Sequence, residues 1–328
     1  MQFQLPPIKA WFMIFRILAV VVWAVMTVLL SSAVVFYETG RIDWINFFLV
    51  LAIASITQGF PAHIINEIFD WKSGADRYRK IGEKSGGSKV IKSGLATIPQ
   101  LWVMFVLTSA ISFALVIVLY MRTDPRSLWF FGVGYLVCIF YTLPPLSFAY
   151  RPFAGEWLGG FAGILLNMTG NYFVQTGTVS PTILVFSMTI GMVYIAIMML
   201  FHYLDYESDR HAIPIKRTTI VFLGLQRSKM YVLILLAAST VLSVVMALQV
   251  SVIFTMVTLS NISQFVFQLR CDPSDAESII KTGKWLTLEM ITFAILFSIV
   301  VNPIFGWATF PVVLSFYLHK KFGKLRTV

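Results

Sequence analysis

Long runs of apolar residues, separated by short polar stretches, constrain this chain more than any other feature of its sequence. Each run can supply the about 20 apolar residues that a membrane-spanning helix needs. Hydrophobic residues make up 58% of the chain and charged residues only 12%, about half the charged share of soluble domains. A transmembrane β-barrel would alternate apolar and polar residues, and these runs do not. The sequence therefore predicts an all-α polytopic membrane protein and excludes a soluble globular enzyme.

The apolar runs predict about nine transmembrane helices. They cover residues 11–36, 44–65, 95–121, 128–143, 153–174, 181–204, 230–269 and 286–318. The run 230–269 is long enough for two spans with a tight turn near Gln249. The last run is interrupted at Asn302 and Pro303, and we count it as one long or broken span. We treat residues 1–328 as a single transmembrane domain with two polar loops, 66–92 and 205–229.

The positions of Lys and Arg predict the orientation of these helices, because cytoplasmic loops carry an excess of both. With the N-terminus in the cytoplasm, 18 of the 25 basic residues lie on the cytoplasmic side, and Arg41, Arg122 and Arg126 lie outside. Both polar loops are then cytoplasmic. Nine spans place the basic residues at 320–326 outside, against this rule. A tight hairpin at residues 302–303 would return them to the cytoplasm on short arms.

Each polar loop begins with acidic residues at the end of an apolar helix. Asn66 and Asp70 are four residues apart, as are Asp205 and Asp209, so each pair shares one helix face. Carboxylates stacked in this way repel each other unless a cation lies between them. Oxygen ligands suit Mg²⁺, which takes one or two carboxylates plus substrate phosphates. Two such clusters facing each other would hold a diphosphate through bridging metal ions.

A structural interpretation of these acidic residues is that they cap helix ends or balance nearby Lys and Arg. It explains two clusters poorly, because six of only 15 acidic residues lie in the two stretches. Those six are Glu67, Asp70, Asp76, Asp205, Glu207 and Asp209. Ionisable residues at membrane depth are costly and usually functional. We therefore favour a metal-dependent site on the cytoplasmic face of a multi-pass protein of the cell membrane.

The acidic stretches carry a resemblance to a known family. The first reads Asn-Glu-x-x-Asp from residue 66 and Gly-x-Asp from residue 74, and the second reads Asp-x-x-x-Asp from residue 205. This pattern resembles the UbiA superfamily of intramembrane prenyltransferases, over nearly the whole chain. Further segments resemble its 1,4-dihydroxy-2-naphthoate prenyltransferase branch, which makes the menaquinone precursor. They are Tyr-Thr-Leu-Pro-Pro at 141–145, Lys-Arg-Thr at 216–218 and, above all, Asn-Tyr-Phe-Val-Gln-Thr-Gly at 171–177.

Two positions depart from the pattern of that branch. Glu67 stands where the family usually has Asp. Residues 201–204 read Phe-His-Tyr-Leu, where the branch usually has two Asn and an Arg before its second motif. Both departures lie beside the expected metal site, so they bear on how the metal and the acceptor are held.

The resemblance implies helices around a central cavity that opens to the cytoplasm and, laterally, to lipid. It implies Mg²⁺-dependent transfer of a polyprenyl group from a polyprenyl diphosphate to an aromatic acceptor, with no role for nucleic acid. The implied metal ligands are Asn66, Asp70, Asp76, Asp205 and Asp209, of which Asp70, Asp205 and Asp209 are also implied to be catalytic. The implied diphosphate-binding cations are Arg16, Lys72, Arg77, Lys216 and Arg217. The implied pocket for the acceptor or the allylic cation contains Tyr141, Phe148, Asn171, Tyr172 and Gln175.

Several alternatives stay open from the sequence alone. His63 and His202 each precede an acidic motif by one helical turn, and either could take a proton from the acceptor or be structural. The same scaffold could also ionise the diphosphate without an acceptor, as an intramembrane terpene cyclase does. A membrane phosphotransferase is disfavoured because its contiguous Asp-Gly and Ala-Arg motif is missing. A transporter is disfavoured because it would place ionisable groups near the membrane midplane.

Overall fold

A computed structural model of the chain describes residues 5–76 and 87–322, and the regular secondary structure of these residues is entirely helical. The main helices are α1 (Ile8–Thr39), α2 (Trp44–Ser73), α3 (Ile98–Tyr120), α4 (Ser127–Phe140), α5 (Ala162–Thr176), α6 (Pro181–Tyr203), α7 (Leu225–Gln249), α8 (Thr255–Arg270), α9 (Ala276–Val301) and α10 (Thr309–Phe322). Shorter helical segments connect them: Phe148–Tyr150, Gly155–Phe161, Tyr206–His211, Thr219–Leu223, Val252–Phe254 and Pro303–Ala308.

Nine of these helices correspond to the predicted spans. Seven of the described helices are long and apolar enough to cross a membrane. The eighth, α4, is a shorter apolar helix, and the ninth, α5, is lengthened at its start by the π-helical segment Gly155–Phe161. The run 230–269 forms two helices, α7 and α8, that turn after Gln249 as predicted. The prediction of an all-α membrane protein with about nine spans is confirmed.

Helices α1 and α2 are both irregular where they pack together. Arg16 has a left-handed backbone conformation (φ 48°) that breaks α1. A π-helical turn at Gln58–Ala62 contains Pro61, which cannot donate a helical hydrogen bond. Gly59 lies in this turn, and a Cβ there would be 2.4 Å from the ring of Phe15. This close approach holds the last turns of α2 beside α1.

The last apolar run is divided by a turn and is not a single span. The Asn302 side chain accepts a hydrogen bond from the Ile304 N–H at 2.9 Å and caps the segment that follows α9. Helix α10 then returns alongside the start of α1, where the rings of Phe12 and Phe322 stack with their centroids 4.9 Å apart. The basic residues 320 and 321 therefore lie at the same end of the bundle as the start of α1. This hairpin removes the conflict for Lys320 and Lys321, whereas Lys324 and Arg326 lie outside the described residues.

Helix α6 lies at the centre of the bundle, packed against α1, α5, α7 and α9. Most of its side chains are buried, whereas outer helices expose large apolar residues such as Ile117, Val241 and Leu259. Exposed apolar faces of this kind suit contact with lipid. Polar pairs also join helices, and Glu289 of α9 accepts a hydrogen bond from Ser260 of α8 at 2.7 Å. Such interhelical hydrogen bonds are a common way of joining transmembrane helices.

Gly170→Ala should destabilise the packing of α5 against α4. A Cβ at Gly170 would be 2.8 Å from the Cβ of Phe130, which cannot move without shifting α4. Overpacking of this kind costs about 1–3 kcal/mol. Gly134→Ala is the matched control, because nothing lies within 4 Å of a Cβ there. Thermal unfolding in detergent should give a lower midpoint for G170A and an unchanged or higher midpoint for G134A. Equal midpoints for the two variants would contradict the packing described here.

Candidate active site

The first acidic motif occupies the last turns of α2, which continues past the apolar run as far as Ser73. Asn66 and Asp70 therefore lie one turn apart on a single helix. Gly74 adopts a left-handed conformation (φ 83°) and ends the helix, a role that glycine fills because it has no Cβ. The chain then turns back, and the Asp76 N–H donates to the Asp70 carbonyl at 3.3 Å. Asp70 and Asp76 are both buried.

The second acidic motif lies just beyond the end of α6. Asp205 precedes the short helix Tyr206–His211, and the Asp209 N–H donates to the Asp205 carbonyl at 2.8 Å. Asp209 is buried, while Asp205 is half-buried. The chain after this helix folds back on the motif, because the Lys216 N–H donates to the Asp209 carbonyl at 3.1 Å.

The two motifs meet at one end of the bundle, which we call the acidic end. The Ile213 N–H, from the segment after the second motif, donates to the carbonyl of Ser73 at 2.8 Å. The Lys216 ammonium forms an ion pair with Asp70, with 2.7 Å between Nζ and Oδ2. Both side chains of this pair are less than a tenth exposed. The sequence stretches that we expected to face each other are thus fastened together by a buried cation and a backbone hydrogen bond.

Tyr150 completes the surroundings of Asp70. Its hydroxyl donates to Asp70 Oδ1 at 2.8 Å and also lies 2.8 Å from the hydroxyl oxygen of Ser73. Burial and the neighbouring Asp70 carboxylate raise the pKa of Tyr150 above its usual value. Tyr150 therefore stays a hydrogen-bond donor at neutral pH. The Lys216 Nζ also lies 5.6 Å from the centre of the Tyr150 ring, within the range of a cation–π interaction.

Glu156 is a further buried acid at this end, and it was not among the predicted site residues. It lies on the π-helical segment before α5, where its Oε2 accepts a hydrogen bond from the Thr219 hydroxyl at 2.7 Å. Its Oε1 is 3.9 Å from Nδ1 of His202. The sequence signal was present, because a lone acid within an apolar run is costly and usually functional. His63, by contrast, contacts the Ile14 carbonyl of α1 through Nδ1 at 3.1 Å.

Tyr141 and Phe148, two of the predicted pocket residues, lie on the segment between α4 and α5 at the acidic end. The Tyr141 carbonyl accepts a hydrogen bond from the Ala149 N–H at 2.7 Å, which holds this segment in a compact turn. The Tyr141 ring packs against Gly159.

Asn66 reaches the same segment through its side chain, whose amide donates to the Thr142 hydroxyl at 3.2 Å. The predicted metal-ligand residues of α2 and the predicted pocket residues of the α4–α5 segment are therefore neighbours.

The other three predicted pocket residues lie on the part of α5 that leads away from the acidic end. Asn171 donates to the hydroxyls of Ser31 and Ser32 on α1 at 2.8 and 2.9 Å. Tyr172 donates to Glu38 near the end of α1. Gln175 binds both the N–H and the carbonyl of Asp43, at 2.9 and 3.0 Å.

Gln175 lies far from the carboxylates because of its partner Asp43. Asp43 caps the start of α2, and Asp70 lies in the last turns of the same helix. Asp43 and Asp70 are 27 residues apart, which is about 40 Å along a helix at 1.5 Å per residue. The structure does not bring Gln175 or Tyr172 to the acidic end. The resemblance implied a pocket role for both residues, and one span separates residue 175 from residue 155.

Three of the five predicted diphosphate-binding cations have exposed side chains. Lys72 is exposed, with its Nζ 5.2 Å from the centre of the Phe69 ring. Arg217 is exposed over the ring of Phe222 at 5.0 Å. Arg16 is exposed at the break in α1. Arg77 lies outside the described residues. Lys216 is the predicted cation that the structure places on a carboxylate of the acidic end.

Glu67, the departure from the family pattern, contacts the later part of the first polar loop. Its Oε2 accepts a hydrogen bond from the Ser88 N–H at 2.7 Å, and a Cβ at Gly87 would be 2.4 Å from the same oxygen. The longer Glu side chain therefore anchors this segment beside Asp76. Within residues 5–76 and 87–322, no three His, Cys, Asp or Glu side chains converge as a ready-made metal site.

The family model of UbiA prenyltransferases matches residues 24–288. The chain belongs to the UbiA prenyltransferase family. It is therefore an enzyme that transfers prenyl groups and a multi-pass integral membrane protein. The matched residues include both acidic motifs and Lys216, but neither Arg16 nor α10. No curated protein matches the sequence at a significant level.

Solved structures of a UbiA homolog from Archaeoglobus fulgidus share this fold. The structure bound to GPP and Mg²⁺ is 17% identical with a TM-score of 0.64, over 87% of this chain and 99% of that chain. The structure bound to DMAPP and Mg²⁺ is 18% identical with a TM-score of 0.64, over 88% and 99%. The structure bound to Cd²⁺ is 15% identical with a TM-score of 0.62, over 86% and 98%. At these identities the likeness concerns the fold alone.

Gly159→Ala should impair prenyl transfer by moving the Tyr141 ring. A Cβ at Gly159 would be 2.5 Å from a ring carbon of Tyr141, so the ring must shift from its place at the acidic end. A displacement of about 1 Å in an active site can reduce the rate by about a hundredfold. Gly163→Ala, one turn along, is the matched control, because nothing lies within 4 Å of a Cβ there. Steady-state assays in detergent should separate the two variants, and equal activities would argue against a role for Tyr141.

Gln175→Ala should lower stability and leave the KM for either substrate unchanged. The variant loses two hydrogen bonds to the backbone of Asp43, which contribute about 1–3 kcal/mol together, and it lies far from the carboxylates. Thermal unfolding and steady-state kinetics on the same preparation check both halves of this prediction. A raised KM for the acceptor at an unchanged unfolding midpoint would instead indicate that Gln175 contacts the acceptor.

Proposed function

We propose that the chain transfers a polyprenyl group from a polyprenyl diphosphate to an aromatic acceptor, with Mg²⁺, at the acidic end of the bundle. We propose 1,4-dihydroxy-2-naphthoate as the acceptor, which would place the enzyme in menaquinone biosynthesis. The observation that carries the proposal is the meeting of two acidic motifs from distant parts of the chain around one buried cation, Lys216. The bias of Lys and Arg supports a cytoplasmic position for this end.

The acidic residues suit Mg²⁺ because this ion is usually held by one or two carboxylates, with substrate phosphates and water completing its coordination. Carboxylates spread over two motifs, without a three-residue cage among the described residues, fit an ion that binds together with a diphosphate. The residues that would hold it are Asn66, Asp70, Asp76, Asp205 and Asp209. When bound, it would act as a Lewis acid on the diphosphate. The homolog structures bound to prenyl diphosphates and Mg²⁺ support this assignment.

Lys216 is the cation that we propose for contact with the diphosphate. In the reaction the allylic C–O bond breaks and the diphosphate leaves with its negative charge. An acceptor ring carbon bonds to the allylic carbon and then loses its substituent, which is a proton or, at the carbon that carries the carboxylate of the naphthoate, CO2. A buried ammonium near the departing oxygen stabilises the charge that develops there. Arg16, Lys72, Arg77 and Arg217 remain proposals for more distant electrostatic attraction of the substrate.

Aromatic side chains beside the carboxylates suit the positive charge that develops on the allylic carbon, because ring faces attract cations. Tyr141 and Phe148 lie on the α4–α5 segment next to Asn66 and Tyr150. The prenyl tail, in this proposal, runs between helices into lipid.

The choice of acceptor draws on the segments that resemble the naphthoate branch. Two of them, residues 141–145 and 216–218, lie at the acidic end, where Thr142 contacts Asn66 and Lys216 contacts Asp70. The third, residues 171–177, lies along α5 and contributes to packing at the opposite end through Gln175. The first two segments therefore support the acceptor proposal by position.

Asp70→Asn should abolish prenyl transfer, with a loss of at least about a hundredfold, because it removes the carboxylate at which the two motifs meet. Asp124→Asn is the matched control. Asp124 is also ion-paired, with 2.7 Å between its Oδ2 and Nη2 of Arg126. This contact with Arg126 lowers the pKa of Asp124 to about 2. It lies in the loop between α3 and α4, away from the acidic end. Purified variants would receive labelled polyprenyl diphosphate, Mg²⁺ and 1,4-dihydroxy-2-naphthoate, with chelator and acceptor-free arms.

The outcomes of this assay separate the competing functions. A chelator-sensitive prenylated naphthoquinol, lost in D70N and kept in D124N, would support the proposal. Diphosphate release without that product would point to another acceptor or to a terpene cyclase. No diphosphate release from the wild-type protein would contradict the proposed function.

A further inference from the structure

Both oxygens of the Asp70 carboxylate already have a hydrogen-bond donor in this structure. One carboxylate oxygen lies 2.7 Å from the Lys216 ammonium, and the other accepts the Tyr150 hydroxyl at 2.8 Å. A carboxylate that binds Mg²⁺ must offer an oxygen at about 2.0–2.1 Å. An ammonium held on that same oxygen would lie next to a divalent cation, and like charges at such distances repel strongly. Lys216 and a metal ion therefore compete for Asp70.

We propose that Lys216 is a displaceable counter-ion, which neutralises Asp70 in the empty site and moves onto the diphosphate when substrate and metal bind together. This inference rests on the proposed function. It assigns to Lys216 a positioning role before catalysis, in addition to the diphosphate contact during catalysis.

The backbone around Lys216 is fixed, so the movement belongs to the side chain. The Lys216 N–H donates to the Asp209 carbonyl at 3.1 Å, and its carbonyl accepts from the Thr218 N–H at 2.8 Å. Between the two motifs, the Ile213 N–H is bound to the Ser73 carbonyl. A lysine side chain has four flexible carbons and a compact charge, so its ammonium can change partners without moving these anchors. The face of the Tyr150 ring, 5.6 Å away, offers the ammonium an intermediate contact.

Lys216 can leave Asp70 only if the ammonium and the carboxylate each gain a new partner of opposite charge. Its side chain is 8% exposed and that of Asp70 is 3% exposed, and separating a buried pair leaves an uncompensated charge. A diphosphate and a metal ion that arrive together supply both replacements, because the anion accepts the ammonium and the cation accepts the carboxylate. Either ligand alone supplies only one.

Binding of metal and of diphosphate should therefore be coupled, and the coupling must be reciprocal. Couplings between sites in one protein typically lie between about fivefold and 150-fold. We expect Mn²⁺, used as a probe for the metal, to bind the wild-type protein weakly by itself. Inorganic pyrophosphate should tighten its binding at least about tenfold.

Equilibrium dialysis of Mn²⁺ against the purified full chain in detergent tests this inference without any turnover. Dialysis reports the excess of Mn²⁺ on the protein side, with or without pyrophosphate. Lys216→Met should bind Mn²⁺ alone about tenfold more tightly than the wild type, and the coupling with pyrophosphate should fall towards one. Lys216→Arg should retain the weak binding of Mn²⁺ alone, because it keeps a cation on Asp70.

Lys229→Met is the matched control. Lys229 is a half-buried lysine whose ammonium donates to the Cys271 carbonyl at 2.8 Å. This variant should bind Mn²⁺ as the wild type does.

Two results would overturn the inference. One is a wild-type protein that binds Mn²⁺ equally well with and without pyrophosphate. The other is a folded K216M variant whose affinity for Mn²⁺ alone is unchanged or weaker. If K216M does not fold, the wild-type coupling and the K216R variant decide the question. Each of these results leaves the proposed function standing, since that proposal depends on product formation and on its loss in D70N.

Discussion

A carboxylate that is removed from water must gain a partner, and Asp70 is the residue at which this requirement shapes the molecule. Its oxygens are shared between Lys216, from the segment after α6, and Tyr150, from the segment between α4 and α5. Two parts of the chain that are far apart in sequence are thereby drawn to the end of α2. The close contact of α1 with α2 around Gly59 supports the same helix. The acidic end of the bundle is thus organised by the need to compensate one buried charge.

The spans could be predicted from the sequence because lipid leaves the backbone few choices, and a helix long enough to cross it must be apolar along its length. The limits of the helices were harder to predict. Helix α2 runs beyond its apolar run to Ser73, and α9 begins ten residues before the run at 286. Polar residues continue a helix readily at a membrane surface, where water satisfies their side chains. The hairpin after Asn302 depends on the side-chain cap of Asn302 and on the packing of Phe322 against Phe12 of α1. A hydrophobicity pattern does not reveal either interaction.

The candidate site shows the same division between local and long-range information. The spacing of Asn66 and Asp70 fixed their relation to each other, because helix periodicity is local. The sequence alone could not distinguish Lys216 from Lys72 or Arg217 as the cation that pairs with Asp70. All three follow acidic residues in polar loops, and only the folded path of the chain brings Lys216 to this carboxylate. The resemblance assigned Gln175 to the acceptor pocket, and the structure places it one span away from residue 155, hydrogen-bonded to Asp43. The similarity of a short segment carries no information about this separation, whereas the order of the spans does.

The packing of α10 against α1 also has a consequence for how the protein is made. Helix α1 is synthesised before α10, yet the ring that stacks on Phe12 belongs to Phe322 of α10. The contact between these two helices therefore cannot form until α10 has been translated. A ribosome stalled before α10 would leave the face of α1 around Phe12 without this partner.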